Sequence, residues 1–170
     1  MEYTVKFSKR KSLQLVIDRQ AEVIVRAPLR TSMKTVEWFV QEHEDWIAKH
    51  LEIQRQRLAQ HPEPTEEEKL QLISRAKEYL PKRTMEYAAI MGVQPTGIRI
   101  TSARTRFGSC SAKNSICYSW RLMQHPKAAV DYVVVHELAH ILHKDHSKAF
   151  YATVERYLPD YRERRKLLKG

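Results

Sequence analysis

The segment His136-Glu137-Leu138-Ala139-His140 carries the most specific chemical signal in this chain. On a helix, positions i and i+4 lie on one face, so both imidazoles can reach one metal ion. Glu137 projects beside them and can take a proton from a metal-bound water without being a ligand. Zinc suits that role: it accepts imidazole nitrogen, leaves one position open and lowers the pKa of its water toward neutrality. The chain has eight histidines, and chance alone would produce the pattern in on the order of a few per cent of such sequences, so the surroundings decide. The plainer reading is a helix with two surface histidines. Tyr132-Val133-Val134-Val135 argue against it, because so apolar a stretch belongs in a core. Polar groups on a core helix are costly without partners, and a metal supplies one. The expectation is one Zn2+ per chain.

A catalytic zinc usually takes a third protein ligand, and His143, His146 and Glu155 are the candidates. His143 lies about 10 Å along the helix axis from His136, too far for both to share an ion. His146 lies just past the expected helix end, where the chain can turn back. Its spacing matches the pattern His-Glu-x-x-His-x-x-Gly-x-x-His, although His143 stands where that pattern has glycine. Glu155, on the following helix, would instead give a thermolysin-like set. His146 is favoured.

Short strands are expected before these residues. Tyr3, Val5 and Phe7 alternate with polar residues, as do Leu13, Leu15 and Ile17, and Val23 with Val25 up to Pro28. With a turn at Asp18-Arg19-Gln20 they read as an antiparallel meander. A single amphipathic helix is expected from Ser32 to Gln60, with Val36, Phe39, Val40, His43, Ile47 and Leu51 on one stripe. His61-Pro62-Glu63-Pro64 breaks the chain. Thr65 and Glu68 have capping-box spacing for the next helix, which carries Ile73, Ala76, Leu80, Tyr87 and Met91. Pro81 should kink or divide it, and Gly92 should stop it. Strand signals follow at 97–102, 104–111 and 115–122. A turn at Lys113-Asn114 would set Cys110 nearly opposite Cys117. The motif helix should run over 127–143 behind Pro126. A further helix, capped by Asp145 or Ser147, should reach about Leu158.

The bulk properties bound the class. A chain of 170 residues fits a single domain, here 1–170, with strands and a long helix over 1–60 and a core over 65–170. No apolar run approaches the roughly 20 residues of a membrane span. The first eleven residues lack the apolar run of a signal peptide, so a cytoplasmic setting is expected. Two cysteines are too few for a disulfide scaffold. Net charge is +10. Between Thr96 and Val135 six bases face one acid, and Arg162, Arg164, Arg165, Lys166 and Lys169 form a second cluster. The balance permits weak attraction to nucleic acid, but no RNA-binding or helix-turn-helix motif supports it, and a solvated basic surface is the favoured reading.

At this point the sequence resembles the YgjP-like metallopeptidases, predicted metal-dependent hydrolases related to SprT-like and WLM zinc proteases. The resemblance rests on Thr105-Arg106-Phe107-Gly108-Ser109-Cys110-Ser111, Trp120-Arg121-Leu122, the run Asp131 to His140, His146-Ser147-Lys148-Ala149-Phe150, Glu155, and Leu158-Pro159-Asp160-Tyr161. Phe107 departs from the family's usual tryptophan; it keeps an aromatic residue and removes an N–H donor. The resemblance implies a zinc site of His136, His140 and His146 with Glu137 as general base. It also implies a compact α+β, zincin-like fold with small antiparallel or mixed sheets beside the active-site helix. The expected reaction is peptide hydrolysis, with His143, Tyr151, Tyr161 and Arg121 as candidates to stabilise the oxyanion. An extended peptide or protein substrate is expected to add to a sheet edge, with 115–122 as the receiving strand. The competing readings are a nucleic-acid-associated SprT-like protease, a non-catalytic binding protein stabilised by zinc, and hydrolysis of a non-peptide amide.

Overall fold

The computed structural model describes residues 1–168; Lys169 of the basic tail lies outside them. The chain divides into two compact units, Met1–Glu63 and Pro64–Gly170. The division falls at the proline break. Among the described residues no helix is long and apolar enough to cross a membrane.

The first unit holds β1 (Thr4–Ser8), β2 (Gln14–Ile17), β3 (Val23–Pro28), α1 (Met33–Glu42) and α2 (Glu44–Gln60). The three expected strands form, but not as a meander. β3 takes the centre, parallel to β1 and antiparallel to β2. A central strand is shielded by a neighbour on each side, and Val23, Ile24, Val25 and Ala27 bury both faces of β3. The turn behind β2 does form: the Asp18 carboxylate accepts hydrogen bonds from the N–H groups of Gln20 and Glu22, at 3.0 and 2.8 Å. The expected single helix is broken at His43. Its Nδ1 lies 2.7 Å from the Phe39 carbonyl, and its N–H turns instead to Val40. A side chain has taken the acceptor that the helical ladder would use. The apolar stripe survives the break, and Val36, Val40 and Ile47 are buried.

The second unit opens with α3 (Glu66–Met91). Both halves of the Thr65/Glu68 capping box form, and Gly92 ends the helix in the left-handed conformation with φ 68°. The helix continues through Pro81 without dividing. Next come β4 (Gly97–Thr101), β5 (Gly108–Cys110) and β6 (Ser115–Ser119), a 3-10 turn (Trp120–Gln124), α4 (Lys127–Leu142), α5 (Lys148–Tyr157) and α6 (Tyr161–Lys166). The α+β expectation holds, and both sheets are mixed.

Two readings of this region need correction. β6 was expected to offer a free edge, but it lies between parallel β4 and antiparallel β5. It also ends at Ser119 rather than Leu122. Ser119 Oγ accepts from the Arg121 N–H and donates to the Ala103 carbonyl at 2.7 Å, turning the chain into the 3-10 segment. The register then pairs Cys110 with Ile116 and Cys117 with Ser109. A shift of one residue puts the two thiols on opposite faces of the sheet, and both are free.

α4 is the spine of this unit. Ala129 through Val135 are buried on it, packed in a core with Leu80, Tyr118, Trp120 and Phe150. One buried charge interrupts the apolar run. Asp131 accepts a fork from Arg83, at 3.0 Å from Nε and 2.9 Å from Nη2, and a third bond from the Tyr79 hydroxyl at 3.0 Å. Burial, and then the Asp131 charge, push the Tyr79 phenol up to about 12. This cluster bolts α3 to α4. Asp131→Asn removes the buried counter-charge of Arg83 and leaves it only the exposed Glu86 carboxylate at 2.7 Å; the expected cost is about 2 kcal/mol. A urea titration checks it: the midpoint should fall with the slope unchanged.

Candidate functional site

Three imidazoles converge where α4 ends. His136 and His140 lie one turn apart on α4, and ligand nitrogens of His136, His140 and His146 all lie within 4.8 Å of one another. No other such group of His, Cys, Asp or Glu occurs among the described residues. His143 does not join it, because α4 stops at Leu142 and His143 turns into extended backbone. Glu155 is exposed on α5 and is also outside the group.

The chain reversal that returns His146 is built locally. Asp145 accepts from the Ser147 N–H, and Ser147 caps α5 by accepting from the Phe150 N–H at 3.3 Å. The cap places Phe150 in its first turn. The Phe150 ring is fully buried and touches all three imidazoles. It stacks on His140 at 4.3 Å and meets His136 edge-on at 4.9 Å and His146 at 5.3 Å. This apolar floor restricts the rings' rotation. The sequence reading did not single out Phe150 for the site; the available signal was its place in the first turn behind His146.

Each α4 histidine is also held at its Nδ1 atom. That of His140 lies 2.9 Å from the His143 carbonyl, and that of His136 lies 3.3 Å from the Tyr132 hydroxyl. Such bonds fix the tautomer and leave Nε2 for a metal. Here His143 contributes its backbone, and Tyr132 contributes through i,i+4 spacing that the sequence reading passed over. Burial, then the neighbouring histidines and Arg165, push His136 down to about 3, which keeps it neutral. Neutral imidazole is the form that binds metal. One ion with bonds of about 2.0–2.1 Å needs its donors closer than roughly 4.2 Å. The exposed His146 has room to close the remainder. The donor set therefore fits a divalent metal ion that accepts imidazole nitrogen.

Glu137 is 5% exposed. It faces β5, where a Cβ on Gly108 would come within 3.1 Å of Glu137 Cγ and 3.2 Å of both its Oε1 and the Cys117 carbonyl. A residue without a side chain is needed for the strand to lie this close to the carboxylate. Burial raises the Glu137 carboxyl to about 7 against a weaker opposing effect from Arg106. A carboxyl poised there can accept or return a proton near neutral pH. Of the oxyanion candidates, Tyr151 has its ring 6.4 Å from that of His146. Tyr161 is buried between Tyr132 and Tyr151. Arg121 lies over the Trp120 ring.

The family model for the YgjP-like metallopeptidase domain matches residues 11–74 and 69–170. Among solved structures, the metallopeptidase zymogen of Pyrococcus abyssi, abylysin, is similar over 52% of this chain and 90% of that one, at 22% identity and a TM-score of 0.48. No curated protein matches.

The raised carboxyl has a measurable consequence in metal-free protein. Glu137 ionises near its ordinary 4.5 when unfolded and near 7 when folded. Its folded-state value is the higher one, so the protein loses stability as pH rises through that window. Metal-free Glu137→Gln should exceed the metal-free parent by about 3 kcal/mol at pH 8, with the gap closing below pH ~4.5. Chemical denaturation of both proteins across this range checks the sign.

Proposed function

Because the chain belongs to the YgjP-like metallopeptidase family, we propose that it is a zinc-dependent peptidase holding one ion between His136, His140 and His146, with Glu137 as its general base. The observation that carries this reading is the convergence of three imidazoles beside a buried carboxyl on the next residue of the same helix. Bound zinc would supply Lewis acidity, polarising the scissile carbonyl and lowering the pKa of water. Tyr132, the His143 carbonyl and Phe150 orient the rings. A Glu137 oxygen takes the proton from the attacking water and returns it to the leaving nitrogen as the C–N bond breaks. With β6 enclosed, the strand edge beside Glu137 belongs to β5. An extended peptide pairing there would lie across the carboxylate, which supports a peptide or protein substrate.

Purified protein should contain one zinc per chain by elemental analysis, and His146→Ala should lose most of it. Glu137→Gln should keep the ion yet lose peptide hydrolysis by about a hundredfold or more. Full activity in zinc-loaded Glu137→Gln would refute the base assignment. A chain that unfolds on metal removal and never cleaves a peptide would favour a purely structural zinc.

A further inference from the structure

The short helix α6 sorts its bases. Arg164 is tied down, to Asp160 at 2.9 Å and to the Ala128 carbonyl at 3.3 Å. Arg162, Arg165 and Lys166, at i, i+3 and i+4, share another face. Among the described residues none of these three has a carboxylate within ion-pair distance. Together with Tyr151 and Tyr161 they line a cavity of about 400 Å³. Gathering three like charges on one helix face costs stability unless an anion offsets it.

The cavity's aromatic walls are one ring away from the histidines. Tyr161 stacks on Tyr132 at 6.4 Å and on Tyr151 at 6.0 Å. Tyr132 in turn meets His136 at 5.7 Å, and Tyr151 meets His146 at 6.4 Å. The Arg162 guanidinium lies over the Tyr161 ring at 5.2 Å. A substrate crossing the three imidazoles therefore comes within reach of a concave, cationic site with planar N–H forks and phenolic hydroxyls. Such donors suit a carboxylate. A concavity of this size suits one side chain or chain end better than a nucleic-acid backbone, which would need an extended basic track.

We propose that the cavity lined by Tyr151, Tyr161, Arg162, Arg165 and Lys166 is a specificity site that binds a carboxylate of the peptide substrate. The inference rests on the peptidase reading above for the nature of its ligand. The carboxylate has two sources, an Asp or Glu side chain or the substrate's free C-terminus.

The test uses zinc-loaded Glu137→Gln, which should bind without cleaving, and fluorescent peptides of one parent sequence. One peptide is neutral and C-terminally amidated, one carries a single Glu, one has a free C-terminus, and one carries a Lys. At least one acid-bearing peptide should bind about tenfold or more tighter than the neutral one by anisotropy, and which one does so identifies the source. Adding Arg162→Gln and Lys166→Gln should reduce that preference to about twofold or less. The charge-reversed pair, Arg162→Glu with Lys166→Glu, should turn it toward the Lys peptide. Equal binding of all four peptides, or a preference that survives both pairs, would overturn the proposal. The native protein separates the two readings. Cleavage without acid preference removes this site and spares the peptidase; Arg162-dependent acid preference without any cleavage does the reverse.

Discussion

α4 runs through the apolar core while carrying an aspartate, a glutamate and two histidines. Ionisable groups cannot be buried cheaply, so their surroundings have to answer each one. Asp131 is met by the Arg83 fork and the Tyr79 hydroxyl. His136 and His140 are each met at one nitrogen, and burial keeps His136 uncharged. The same apolar packing leaves Glu137 with a carboxyl near 7, where proton transfer is easiest at neutral pH. The cost of burial and the chemistry of the site thus share one origin.

Local devices build the rest of the centre from very few residues. From His140 to Lys148 the chain ends one helix, exposes a carbonyl to His140, returns His146, and starts another helix with a serine cap. That cap sets Phe150 under all three imidazoles. On α4's other neighbour, Gly108 lets β5 approach the Glu137 side chain at near-contact distance. A helix end, a cap and a missing side chain therefore do the positioning, and none of them is itself reactive. The aromatic set Tyr132, Tyr151 and Tyr161 then joins the histidines to the basic face of α6.

Much of this was legible in the residue order, because helical spacing is a local property. The i,i+4 histidines with Glu137 between them, the Thr65/Glu68 box, the Gly92 stop and the strands of both units depend on neighbours a few positions away. His146 could be favoured over Glu155 by spacing alone; its approach to the other two rings required the folded chain. Strand order was not legible. Placing β3 and β6 at the centres of their sheets depends on which strands meet across long loops. The single-residue register that separates Cys110 from Cys117 depends on how the turn before β6 closes. Gly108 against Glu137 is likewise a contact between segments far apart in sequence, whereas Phe150 beneath the rings and the three bases of α6 around one cavity depend on how successive helices fold back on one another. Local periodicity shows which way a side chain faces along its own element, and only packing decides what it faces.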